Sequence, residues 1–194
     1  MVRTILLCFA VLVTVTGCSG TMKPEDFAGR EPRLVLEDYF EGKTKAWGMF
    51  HDRFGNLRRE FVVDITGTWD GEILTLDEEF DYSDGEQDRR VWTIKKIDDN
   101  TYVGTAGDII GEASGKTFGN ALNWTYSMNL KVGDGTWKVK FDDWMFLQPE
   151  GVLLNRASVS KFGFELGVVT LSFARADEES ETAANSNVQQ RAAE

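Results

Sequence analysis

Apolar side chains alternate strictly with polar ones over residues 122–132. Successive side chains of a β-strand point to opposite faces, so this pattern predicts a strand with one buried and one solvated face. The same period recurs over residues 57–69 and 137–147. Helical periodicity is absent from the sequence, apart from a short turn predicted near residues 34–40.

Turn signals separate the alternating segments. Turn-forming residues, mainly Asn, Asp and Gly, occur at residues 53–56, 70–71, 83–86, 98–100, 133–135 and 149–151. These residue types accept the positive φ angles that tight hairpins need. About eight to ten strands joined in this way must close or stack, because an open meander leaves two edges exposed. We therefore predict an all-β fold, an antiparallel up-and-down meander closing into a lipocalin-like β-barrel, with a two-sheet sandwich as the alternative.

The N-terminus has the features of a bacterial lipoprotein precursor. A basic residue precedes an apolar run at residues 5–13 that is too short to span a bilayer. Small residues then precede Cys18, as in a lipobox. We predict a signal peptide at residues 1–17, lipidation at Cys18 and a lipidated tether at residues 18–30. An ordinary secretory signal is the alternative.

The remaining sequence predicts one barrel domain at residues 31–175 and a disordered tail at residues 176–194, which lacks an apolar cluster. Ser19, directly after the cysteine, favours an anchor in the outer membrane facing the periplasm; the periplasmic face of the inner membrane is the alternative. The net charge of −11 argues against nucleic acid or an anionic membrane surface as a charge-driven partner. The membrane, reached through the lipid anchor, is the predicted partner.

Three charged residues interrupt the apolar faces of the predicted strands. They are Asp143 among Val139, Phe141 and Met145, Glu78 among Leu74, Leu76 and Phe80, and Arg59 beside Phe61 and Val63. An unpaired buried charge costs several kcal/mol, so these residues need partners, water or a ligand. Candidate partners are Arg89, Arg90 and Arg156. One interpretation is that these charged side chains are solvated or form structural ion pairs. The other is that they form a polar anchor at the base of an apolar pocket.

Aromatic residues on the same faces either pack the core or line a cavity for an acyl chain. The predicted ligand-binding residues combine both groups: Trp69, Glu78, Trp92, Asp108, Trp124, Tyr126, Asp143 and Arg156. Asp108 lies in a glycine-rich stretch, residues 104–120, where glycine indicates sharp bending or close backbone approach. His51 is the only histidine in the sequence, and we predict no metal, cofactor or catalytic residue.

Several segments together are similar to a known family. They include LTLDEEFDYSDGE from Leu74, YVGTAGDIIGEASG from Tyr102 and NRASVSKFGFELGVVTLSF from Asn155. They resemble a proteobacterial lipoprotein family known as a domain of unknown function (thirty-eight thirty-three). The resemblance covers nearly the whole predicted domain and implies an envelope lipoprotein, but it carries no activity or site residues. A weaker similarity is to lipocalins, through Trp47 and Arg175.

The leading hypothesis is a membrane-anchored barrel that binds or carries a hydrophobic or amphipathic ligand, such as a lipid or fatty acid. One alternative is an enzyme acting on a lipid or envelope substrate, with Glu78, Asp143 or Asp108 as acid or base; raised carboxyl pKa values in one cleft would favour it. Another is a structural or assembly lipoprotein, favoured by an exposed apolar patch and a packed barrel centre.

Overall fold

The computed structural model describes residues 21–133 and 135–175. This part of the chain contains α1 (Leu36–Phe40), ten strands and two turns of 3₁₀ helix, at Pro24–Phe27 and Pro149–Gly151. The strands are β1 (Gly42–Asp52), β2 (Leu57–Trp69), β3 (Ile73–Tyr82), β4 (Gln87–Lys96), β5 (Thr101–Thr105), β6 (Ala113–Phe118), β7 (Ala121–Val132), β8 (Gly135–Leu147), β9 (Leu153–Lys161) and β10 (Phe164–Arg175). The predicted signal peptide, Cys18 and the predicted tail lie outside the described residues.

The ten strands form one closed antiparallel barrel, in which each strand pairs with its neighbours in sequence. The ring closes where β1 pairs with β10, from Thr44 opposite Arg175 to Asp52 opposite Gly167. Closure gives the two strands that would otherwise be edges a partner for their backbone hydrogen bonds. The predicted meander barrel is confirmed, and the sandwich alternative is wrong.

The alternating pattern sets which side chains enter the barrel. On β2, Val63 and Ile65 are buried inside, and on β7 Trp124 and Met128 are buried in the same way. Their polar neighbours in sequence point outwards, as the two-residue period requires. The predicted strand at residues 57–69 has the bounds of β2.

The helix α1 closes one end of the barrel, which we call the closed end. Its Leu36 and Phe40 are buried. The Tyr39 hydroxyl lies within hydrogen-bonding distance of the carbonyl oxygens of Gly151 (3.0 Å) and Phe173 (3.2 Å). The Glu37 carboxylate accepts hydrogen bonds from Lys96 and from the Tyr102 hydroxyl. These contacts fix the helix across the strand ends.

Gly67 of β2 leaves the space in which α1 sits. A Cβ atom at this position would overlap the carbonyl oxygen of Phe40. We expect Gly67→Ala to lower the free energy of unfolding by about 2 kcal/mol, because the helix must shift away from the barrel. Urea denaturation measures this loss. Gly107→Ala is the control, since a Cβ at Gly107 meets no atom within 4 Å; equal losses in both variants would contradict the explanation.

The N-terminal segment packs on the outside of the barrel. Phe27 is buried, and its ring centroid lies 5.2 Å from that of Phe146 and 5.9 Å from that of Trp144. Both partners belong to β8 and point away from the barrel interior. Part of the segment predicted as a tether therefore contacts the folded domain.

The other end of the barrel carries the β1–β2, β3–β4, β5–β6, β7–β8 and β9–β10 connections, and we call it the open end. Among the described residues no helix covers it. None of the described helices is long and apolar enough to cross a membrane.

Candidate functional site

The barrel encloses a cavity of about 320 Å³ that reaches the open end. Leu36 and Phe40 of α1 form its floor, whereas Arg59, Tyr82 and Lys131 line it near the open end. Its wall is largely apolar and aromatic, and includes Phe61, Phe80, Trp92, Trp124, Met128 and Phe141. The volume lies at the lower end of the roughly 300–1,000 Å³ of typical ligand sites.

Two glycines help to keep the cavity open. Trp124 of β7 pairs with Gly115 of β6. A Cβ atom on Gly115 would overlap the indole ring of Trp124. A Cβ on Gly104 would lie 2.6 Å from the same ring. The indole therefore lies flat against the barrel wall rather than across its centre. Of the two roles predicted for the glycine-rich stretch, close backbone approach is confirmed at these positions.

Polar side chains form a cluster within the apolar wall. The Arg90 guanidinium donates to the Asp108 carboxylate, with Nη2 2.7 Å from Oδ2 and Nε 3.0 Å from the same oxygen. Its Nη1 also lies 3.8 Å from Oε2 of Glu78. The side chain of Glu78 is 14% exposed, and this surface faces the cavity because Glu78 lines it. Arg90 thus balances two carboxylates inside the barrel.

Asp143 and Asn155 present unpaired hydrogen-bond acceptors on the adjacent strands β8 and β9. Oδ2 of Asp143 lies 3.4 Å from the Tyr126 hydroxyl, while its Oδ1 has no partner among the described residues. Oδ1 of Asn155 also lacks a partner within this part of the chain. Both residues are buried and line the cavity. A buried acceptor without a donor is costly, so these two atoms indicate where a bound molecule would donate hydrogen bonds.

The environment changes the protonation of both interior acids. Burial raises the pKa of Asp143 to about 8, and the neighbouring carboxylates of Asp142 and Glu78 act in the same direction. Burial also raises the pKa of Glu78 to about 7, against the opposing effect of the Arg90 guanidinium. At neutral pH the Asp143 carboxyl is therefore mainly protonated and can itself donate a hydrogen bond.

Arg59 provides a cation near the open end. Its guanidinium lies 3.5 Å from the ring centroid of Tyr82, and it forms ion pairs with Asp84 (3.1 Å) and Glu86 (2.5 Å). Its Nε has no hydrogen-bond partner among the described residues. The inward direction predicted for this arginine is confirmed, since Arg59 lines the cavity.

The structure brings most of the predicted ligand-binding residues together. Glu78, Trp92, Trp124 and Asp143 line the cavity. Tyr126 contacts Asp143, and Asp108 binds Arg90 at the edge of the same cluster. Trp69 lies on the inner face of β2 and packs against the core, but it does not line the cavity.

Arg156 does not belong to this group. It is exposed on the outer face of β9, where it contacts Ser158. Its neighbours Asn155 and Ala157 are buried, so the two-residue period points Arg156 outwards. The cation that balances the interior acids is Arg90 instead, whose position on β4 has the parity of the buried Trp92 and Ile94. The same parity argument was available from the sequence.

Asn155 is the site residue that sequence reasoning missed. It follows the buried Leu153 and precedes the buried Ala157 at a spacing of two, so its inward direction was readable. Its unpaired oxygen was not readable, because this depends on the partners that the fold supplies. Among the described residues, no group of three His, Cys, Asp or Glu side chains could hold a metal ion.

Comparison with protein families identifies a family that matches most of the chain. The family described as "Protein of unknown function (DUF3833)" matches the chain over residues 12–175, a range that includes the whole barrel. No curated protein matches the chain.

Proposed function

The chain belongs to the DUF3833 family, and on this premise we propose that it is an envelope lipoprotein that binds one amphipathic molecule, such as a lipid or fatty acid, inside its barrel. In this proposal Cys18 carries the acyl anchor, which holds the protein on the periplasmic face of the outer membrane. The barrel then holds or passes its ligand at the surface of that membrane.

One observation carries the binding proposal: the barrel centre is hollow, closed by α1 at one end and accessible at the other. Ten strands give a wider barrel than eight, and the inward side chains do not fill it. An acyl chain suits the aromatic wall, because transfer of each methylene from water contributes about 0.8 kcal/mol.

The polar cluster favours a ligand whose polar part donates hydrogen bonds. The free Oδ1 of Asn155 accepts from a hydroxyl or amide group, and the protonated carboxyl of Asp143 can accept a hydrogen bond from such a group or donate one to it. Arg90 offers little to an anionic headgroup, because it already pairs with Asp108 and Glu78. Arg59 is likewise paired, with Asp84 and Glu86. A carboxylate headgroup would instead lie near Lys131, with its chain extending inwards.

Native mass spectrometry tests whether a ligand is present. Full chain purified from membranes under non-denaturing conditions is expected to show a mass in excess of the acylated polypeptide. This excess should disappear on denaturation and be recovered as a hydrophobic molecule in an organic extract. A chain that shows only its own mass, and that fails to bind added dansyl-labelled undecanoic acid, would contradict the proposal.

A second candidate function is acid–base catalysis on the bound molecule. Two observations favour it: the raised pKa values of Glu78 and Asp143, and their position on one cavity. Incubating the purified protein with the extracted ligand and following its mass separates the two functions. A ligand whose mass stays unchanged supports a carrier, whereas a product that depends on Asp143 supports an enzyme. The hollow centre counts against a purely structural role.

A further inference from the structure

We infer that the open end of the barrel docks on the surface of an anionic phospholipid bilayer. The contact is made by the β1–β2 and β9–β10 hairpins together with Trp137, and we call this surface the docking rim. The docking stands on features outside the cavity and does not require the proposed ligand. If the barrel also binds the proposed ligand, docking at this end places the mouth of the cavity against the lipid from which the ligand would enter.

The first observation is the exposure of large apolar side chains on these hairpins. Phe162 is 90% exposed, Phe54 74% and Phe164 72%, and these are the three most exposed large apolar residues in the described part of the chain. Leu57 and Trp137 add partly exposed surface at the same end. Aromatic side chains at the ends of a fold are typical of proteins that enter the interface of a bilayer.

The second observation is that these residues form one continuous surface. The β1–β2 hairpin lies next to the β9–β10 hairpin, because the Arg53 backbone N–H donates to the Leu166 carbonyl oxygen at 2.9 Å. The Lys161 ammonium lies 4.0 Å from the Trp137 ring centroid and 5.5 Å from that of Phe162. The apolar side chains can therefore enter one bilayer surface together.

Charge identifies the partner. Residues 52–58 and 161–165 contain three Lys or Arg and two Asp or Glu, in a chain whose net charge is −11. Asp52 and Arg58 pair with each other at 2.6 Å, so Arg53 and Lys161 against Glu165 set the remaining charge of the two hairpins. Residues 82–88 and 106–112, at the same end of the barrel, contain five Asp or Glu and no Lys or Arg. The basic charge thus coincides with the exposed aromatic rings, as binding to anionic headgroups requires.

Phe162 has a positive φ angle, a backbone conformation that Asn or Gly adopts more readily than Phe. Its φ is 53° and that of Gly163 is 82°, as in a hairpin turn that prefers Asn-Gly. Positive φ is unfavourable for a bulky side chain. The phenylalanine thus adds nothing to the turn, while its ring is the most exposed of all. Replacement by asparagine should preserve or improve the turn, so it removes the ring without a cost in folding.

The test measures hydrogen exchange of the full chain carrying Cys18→Ser, which removes the acylation site. Vesicles of phosphatidylcholine with phosphatidylglycerol are the probe. Amides in residues 53–57 and 161–165 are expected to exchange about tenfold more slowly with vesicles, and those in residues 97–100 at the closed end are expected not to change. Vesicles that bind the chain without protecting the two hairpins would overturn the docking rim.

A variant with Phe54→Ser, Phe162→Asn and Phe164→Ser should lose this protection. The matched control carries Ile97→Ser and Leu154→Ser, which remove exposed apolar side chains elsewhere, and should keep it. Equal protection in both variants would overturn the inference. Binding of dansyl-labelled undecanoic acid without vesicles is a separate readout: protected hairpins in a chain that does not bind this probe would support docking and contradict the proposed function.

Discussion

Val169→Trp is expected to abolish binding of dansyl-labelled undecanoic acid. Val169 lines the cavity from β10, opposite Phe50 of β1. An indole at this position would project into open space and occupy the volume that an acyl chain needs. We expect affinity to fall at least about tenfold, which is about 1.4 kcal/mol of binding free energy. Fluorescence titration of the dansyl group measures the loss.

Val168→Trp is the matched control for this prediction. Val168 is the preceding residue on the same strand and points outwards, opposite His51 of β1. The two variants therefore add the same side chain on opposite sides of one wall. Binding that is unchanged by Val168→Trp and lost in Val169→Trp places the probe inside the barrel. Equal affinities in the two variants would place it elsewhere.

Asp143→Asn is expected to make the protein more stable at alkaline pH. Burial raises the pKa of Asp143 to about 8 from its ordinary value of 3.8. Between these two values the folded state keeps a proton that the unfolded state has lost, so stability falls as the pH rises. Above pH 8 the loss is complete. Asparagine cannot ionise, so the variant should gain up to about 5 kcal/mol at pH 8.5 and little at pH 4.

Urea denaturation at both pH values measures the difference between variant and parent. Asp142→Asn is the control, since Asp142 is the preceding residue, points outwards and is exposed. Asp142 adds to the burial that raises the pKa of Asp143, so this control should gain much less stability at pH 8.5 than Asp143→Asn does. If the gain in Asp143→Asn were the same at pH 4 and pH 8.5, the carboxyl would have an ordinary pKa and the interior would be well hydrated.

Much of the candidate site was readable from the parity of residues along single strands. Asp143 and Glu78 interrupt apolar faces, and both lie on the cavity as the alternation predicted. The choice of Arg156 as a candidate failed, although the same parity points it outwards. Selecting Arg90 as the balancing cation needed the order of the strands as well, because β3 and β4 pair Glu78 with Arg90. Asp108 lies in the loop between β5 and β6, where polar and apolar residues do not alternate. Its contact with the Arg90 guanidinium was therefore not predictable from the sequence.

By itself, the sequence determined the strands, their inward faces and the meander, because alternation and turn residues act over a few neighbouring positions. Only the tertiary structure decided that the strands number ten and close into a ring rather than stack as a sandwich, that α1 closes one end and that the centre stays hollow. A hollow interior depends on the summed volume of side chains from every strand. It also depends on close approaches such as that of Trp124 to Gly115, which join segments that no local pattern connects.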